Sequence, residues 1–164
     1  MAQARTHAST ALGRLPNDAA TTGAFSIPLA EDPPYTATSL LLVNRYEEAV
    51  QATHRVIETV YRPRTKRAED QPTNYARSLL ILALAEAGAG RAAEASAAGI
   101  AALQCGRPVW PTMVLAGKLN GVLADKFPGA QPVADFRARY VDLTASLIKP
   151  SLTNTREPPG AVHE

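Results

Sequence analysis

The sequence predicts an all-α protein of about three helical hairpins, and three observations carry that prediction. A short phrase is said twice: Asn44-Arg45-Tyr46-Glu47-Glu48-Ala49 returns as Gly90-Arg91-Ala92-Ala93-Glu94-Ala95. In each copy a turn-former precedes Arg, Glu follows three residues later, and Ala comes directly after it. Apolar residues recur at helical spacing through most of the chain, and no segment carries the alternating period of a strand. Self-similarity of this kind marks a repeat protein, in which each unit buries its apolar face only against a neighbour.

The elements follow in order. Residues 1–34 are rich in Thr, Ala, Asn and Gly, poor in aliphatics, and closed by Pro33-Pro34, so they are expected to be disordered. A short extended stretch, Phe25-Ser26-Ile27-Pro28, is the one part of them suited to docking on the body. A first helix spans Tyr35–Val43 and stops at Asn44. A second, Arg45–Tyr61, places Tyr46, Ala49, Val50, Thr53, Val56, Ile57 and Val60 on one stripe, with Glu47, Glu48, Gln51, Arg55 and Glu58 opposite. The stretch Arg62–Pro72 is charged, bounded by prolines, and expected outside the core.

Thr73 or Asn74 is expected to cap a third helix, Asn74–Ala87. That helix is apolar nearly all round and needs covering from more than one side. Gly88 and Gly90 break it. A fourth helix, Arg91–Gln104, is built of Ala, Ser and Gly99, with Ile100 and Leu103 as its large anchors, so its neighbours can approach closely. Cys105-Gly106-Arg107-Pro108 ends it, with glycine as a left-handed cap. Pro111 and Pro132 suit first helical turns. The fifth helix, Pro111–Lys126, buries Leu115, Leu119, Val122 and Leu123; the sixth, Pro132–Ile148, buries Val133, Phe136, Tyr140, Leu143 and Leu147. The organisation is a helical repeat domain over 35–149 between a disordered segment and a disordered tail, 150–164.

Composition bounds the function. With 164 residues the chain has one domain's worth of core, and a net charge of +2 gives no strongly basic surface for nucleic acid or membrane. Abundant Ala and an excess of Arg over Lys suggest a high-GC genome. The single cysteine, Cys105, favours a reducing, cytoplasmic setting. The longest strongly apolar run, Leu79–Ala85, is far short of the roughly 20 residues a membrane span needs.

Helix-turn-helix pairs around NRYEEA and ALAEAGAGRAAEA resemble tetratricopeptide repeats. Ala83, Gly90, Ala95 and Ala102 match that family's packing and turn positions, with Pro108 near the helix end; Ala37, Asn44, Ala49 and Val56 match them in the first copy. The resemblance implies a right-handed α-α superhelix. The stretch Tyr75–Leu143, with CGRPVWPTMVLAGKL and VADFRARYVDL, is similar to the C-terminal sensor region of tetratricopeptide-containing helix-turn-helix transcriptional regulators of Streptomyces and related actinobacteria. Those regulators usually carry a DNA-binding domain ahead of the repeats, which residues 1–34 cannot form. The likeness therefore implies a detached or truncated regulatory half and counts against direct DNA binding.

The chemistry-bearing residues favour structural roles. Cys105 sits at a helix C-terminus, which raises a thiol's pKa. His54 has no second ligand at metal spacing, and His7 and His163 fall in the tails. Glu47, Glu48, Glu86 and Glu94 read as solvated carboxylates balanced by Arg45 and Arg91. No nucleophile elbow, phosphate loop or dinucleotide fingerprint occurs, so neither enzyme activity nor a cofactor is expected. Trp110 is expected to anchor the fifth helix against the fourth; left exposed, it would instead mark a partner contact.

The basic stretch Arg62, Arg64, Lys66 and Arg67 offers a competing reading as a DNA contact. A small enzyme and a stand-alone adaptor stay open beside it. In a tetratricopeptide stack the first helix of each pair lines the concave face. Asn74, Arg77 and Lys118 are the residues this implies for a groove that takes a protein or peptide partner. The function expected is a non-catalytic binding module, with a homodimer as a further expectation.

Overall fold

The computed structural model describes residues 34–61, 67–106 and 108–148, all turn or helix with short links and no strand among them. Expectations for residues 1–33, for the basic side chains 62–67 and for the tail 150–164 lie outside what is described. Among the described residues seven helices run α1 (Pro34–Leu42), α2 (Tyr46–Val60), α3 (Arg67–Asp70), α4 (Pro72–Gly88), α5 (Ala92–Leu103), α6 (Trp110–Lys126) and α7 (Gln131–Ile148). Three hairpins result: α1 with α2, α4 with α5, and α6 with α7. The single turn α3 lies in the charged stretch expected as a loop, where Arg-Ala-Glu-Asp supplies helix formers just ahead of Pro72.

Helix α4 is the hub. From Ser78 to Ala87 every residue is buried. On one flank Ile81, Leu82 and Ala85 meet Ala37, Leu40, Ala49, Val50 and Ala52 of the first hairpin. On the other, Leu80, Ala83, Leu84 and Ala87 join Ala95, Ala102, Ala116, Leu119, Leu123 and Phe136. Helix α2 packs against both α1 and α4; beyond α4, helix α6 lies on α4 and α7 lies on α5, so the last four helices enclose the second core.

The repeated phrase is a repeated turn. Asn44 and Gly90 both adopt positive φ, 58° and 89°. Arg45 N donates to Leu40 O at 2.9 Å and Arg91 N to Glu86 O at 2.9 Å. Asn44 N donates to Leu41 O and Gly90 N to Ala87 O, at 3.1 and 3.3 Å. Ala49 and Ala95, directly after, are fully buried. Each copy thus satisfies the open carbonyls at a helix C-terminus in one way and seats a small residue where the next helix crosses. The third hairpin turns differently, one residue longer, with Gly129 at φ 85°.

Several local expectations are corrected. Helix α4 starts at Pro72, a position that tolerates the missing N–H, and takes no side-chain cap. Asn74 Nδ2 instead donates to Gln71 Oε1 at 3.1 Å. Pro34 opens α1 for the same reason rather than closing the segment before it. Gly88 belongs to α4: the Tyr46 ring sits where a Cβ would be. Leu147 is exposed, because α7 runs past the end of its neighbours' cover.

Close approach is sharpest at Gly99 of α5, whose Cβ would fall 2.7 Å from Phe136 Cε2 and 2.8 Å from Leu119 Cδ2. Alanine is favoured over glycine by about 1 kcal/mol in a helix interior, whereas overpacking costs roughly 1–3 kcal/mol. Gly99→Ala should therefore lower the urea midpoint, and Phe136→Leu in that background should recover part of the loss; a Gly99→Ala protein more stable than the wild type would contradict this packing.

Candidate functional site

Four charged side chains, Glu47, Glu86, Arg91 and Lys126, gather where the hairpins meet. Arg91, just ahead of α5, donates from Nη1 to Glu47 Oε1 at 2.7 Å and from Nη2 to Glu47 Oε2 at 3.1 Å. Its Nε pairs with Glu86 of α4. One guanidinium so ties α2, α4 and α5 together. In the first copy Arg45 pairs within its own helix start, with Glu48. The equivalent partner in the second copy, Glu94, is exposed, and Arg91 turns to the inter-hairpin carboxylates instead. Glu86, expected among the solvated carboxylates, is only 6% exposed. Burial of a carboxylate in the last turn of a helix needs a cation, and Arg91 supplies it.

A second contact clamps the same end. Lys126 Nζ, at the C-terminus of α6, donates to Ala87 O at 3.4 Å and Gly88 O at 3.3 Å. It also lies 5.4 Å over the centroid of the Tyr46 ring. The ring is held in turn by its hydroxyl, which donates to Asn44 Oδ1 at 2.6 Å. The open carbonyls of α4 thus meet a cation, and the ring that α2 lays on Gly88 meets the same ammonium.

Helix α6 shows the opposite character on its outer face. Thr112, Ala116, Leu119 and Leu123 are buried on the inner one. Trp110, Val114, Lys118, Gly121 and Asp125 share the outer face at helical spacing, and all are exposed. Trp110 is 80% exposed and Val114 52%, with Val109 beside them. The expected anchoring of Trp110 against the preceding helix is not what the structure shows; nine residues from Leu119, it lies half a turn round from the buried stripe. That spacing is the signal in the sequence that points it outward.

The three groove residues are all on the surface. Asn74 and Arg77 occupy the exposed N-terminal turns of α4, and Lys118 the outer face of α6. The two helices run parallel: Lys126 meets the C-terminus of α4, and Gly106, just ahead of α6, lies against Pro72 at its N-terminus. Asn74 and Arg77 are thus at the same end of the molecule as Trp110 and Val114. Open clefts also lie among the described residues. One, about 230 Å³, is lined by Ile100, Leu103, Gln104, Arg139, Asp142 and Leu143. Another, about 290 Å³, lies at the α6–α7 turn, lined by Phe127, Pro128, Ala130 and Val133 among others.

Cys105 Sγ donates to Ala101 O at 3.2 Å, and burial raises its thiol above the ordinary value. His54 is exposed on α2. Among the described residues no group of His, Cys, Asp or Glu has the arrangement of a metal site, and no helix is long and apolar enough to cross a membrane. Comparison of the chain with family models, with curated proteins and with solved structures finds no match.

The Arg91 hydrogen bond lowers the Glu47 carboxyl from its ordinary 4.5, slight desolvation opposes this, and the charge of Arg91 adds to it. A carboxyl lowered on folding contributes stability that is complete above pH 4.5 and is lost as pH falls through the folded value. Glu47→Gln should flatten that part of the acid-unfolding profile, and salt should shrink the difference. Arg91→Met should cost roughly 1–3 kcal/mol, since it leaves Glu86 buried without its cation. Urea unfolding of the two variants checks both; an Arg91→Met loss no larger than that of Glu47→Gln would contradict the burial argument.

Proposed function

We propose that this chain is a non-catalytic, tetratricopeptide-like helical repeat module that binds a protein or peptide. It acts in the cytoplasm as the regulatory part of a transcriptional regulator. The observation that carries the reading is Trp110, the single tryptophan, held 80% exposed on a helix whose outer face also offers Val114 and Lys118. An exposed tryptophan gains by leaving water and is among the residues that dominate binding energy when a partner covers them.

The superhelical reading is supported by the matching turns at Asn44 and Gly90 and by α2 packing against both α1 and α4. Groove residues Asn74, Arg77 and Lys118 would add polar grip on a peptide backbone or carboxylate. The regulatory role draws on the likeness of Tyr75–Leu143 to the sensor regions of actinobacterial regulators.

Affinity capture from a native lysate, with wild-type and variant chains compared at equal concentration, tests the reading. Trp110→Ala should weaken capture of the principal bound protein by roughly tenfold or more. The double reversal Arg77→Glu/Lys118→Glu should weaken it further, with the helical circular dichroism unchanged. Equal capture by all three proteins would count against a binding surface at this end of the molecule.

A further inference from the structure

The outer face of α6 carries one cation and one anion, Lys118 and Asp125, two helical turns apart, with Gly121 between them. A face with this arrangement is its own complement. When two copies of α6 lie antiparallel and cross near Gly121, each Lys118 stands opposite the partner's Asp125, and the two pairs are related by the twofold axis. Gly121 suits the crossing point, since nothing lies within 4 Å of the position a Cβ there would occupy. Without a side chain, it lets the partner helix approach its backbone.

The same geometry places the apolar end of the face. Trp110 and Val114 project past the crossing point toward the C-terminal end of the partner's α6, where the α6–α7 turn holds the open cleft of about 290 Å³ lined by Phe127, Pro128, Ala130 and Val133. Covering a tryptophan hides on the order of 150–250 Å² of surface. We propose that the partner of this face is a second copy of the chain: an isologous dimer through α6, centred on Gly121, fixed in register by the Lys118–Asp125 pairs and anchored by Trp110. The proposal rests on reading the α6 face as a binding surface and names its occupant.

Sedimentation equilibrium of the full chain over a wide concentration range tests it, with emission from the single tryptophan as a second readout. The wild type should approach twice the monomer mass, and its emission should shift to shorter wavelength as the dimer forms. Lys118→Glu sets two carboxylates against each other and should raise the dimer dissociation constant about tenfold or more. The exchange Lys118→Glu/Asp125→Lys should restore it. Gly121→Arg, at an open position that leaves the monomer intact by circular dichroism, should abolish the dimer.

A wild type that stays monomeric at every concentration overturns the proposal, as does a dimer indifferent to these changes or an exchange that fails to restore association. A monomeric wild type whose capture of another protein still depends on Trp110 overturns self-pairing alone and leaves the wider binding role standing.

Discussion

One helix that cannot face water organises this molecule. Between Ser78 and Ala87, α4 is buried on every side. A helix of that kind has no stable existence at a surface, because leaving a Leu or Ile side chain exposed forgoes about 1.5–3 kcal/mol each. It must be covered from two flanks, and one hairpin partner covers only one of them. The second flank recruits a preceding hairpin through Ile81, Leu82 and Ala85, and the first flank is extended by α6 through Leu80 and Leu84. Small residues set how near these neighbours come. Ala49, Ala83 and Ala95 are fully buried, and Gly99 leaves no room for a methyl group between Leu119 and Phe136. The fold is therefore sensitive to added volume in α5 as much as to lost volume in α4.

Burying α4 creates an electrostatic problem at its C-terminus, where the open carbonyls carry the negative end of the helix dipole and Glu86 adds a full charge. The surroundings answer with cations from two other hairpin elements: Arg91 on Glu86 and Lys126 on the carbonyls of Ala87 and Gly88. Both cations reach further, Arg91 to Glu47 and Lys126 to the Tyr46 ring, so the first hairpin is gripped through the same two groups. The charge motif that repeats in the sequence does not repeat as a contact. In the first copy its Arg serves one helix start, and in the second it joins three helices.

What the sequence discloses follows from the range of each interaction. Helix existence and the buried stripe of α2 are local matters of period, and the two copies of the turn are a local matter of residue type; these are legible to within a residue or two. The Tyr46–Gly88 contact spans two hairpins, and nothing near Gly88 distinguishes a glycine that breaks a helix from one that admits a ring. Glu86 reads as solvated because carboxylates usually are; its setting in a helix apolar all round carries the contrary signal. For Trp110 aromatic character suggests a core anchor, while its angular distance from Leu119 points outward. Of the candidate site, exposure of Asn74, Arg77 and Lys118 is legible, and the apolar company Lys118 keeps on α6 is not.

The contrast between the edge helices bears on function. A stack of paired helices leaves uncovered faces at its ends, and such faces are commonly polar because they meet water. Helix α7 largely conforms: Asp135, Arg137, Arg139 and Asp142 are among its exposed residues, although Val141 and Leu147 are too. Helix α6 does not. Its outer face opens with tryptophan and valine, thins to glycine, and holds one charge of each sign. The inner face of α6 already meets the demands of folding through Leu119 and Leu123, so folding gives no reason for Trp110 to be large or apolar. A large apolar side chain exposed without serving the core is what the proposed partner would cover. That asymmetry between the two faces of one helix is the physical ground on which the proposed binding surface rests.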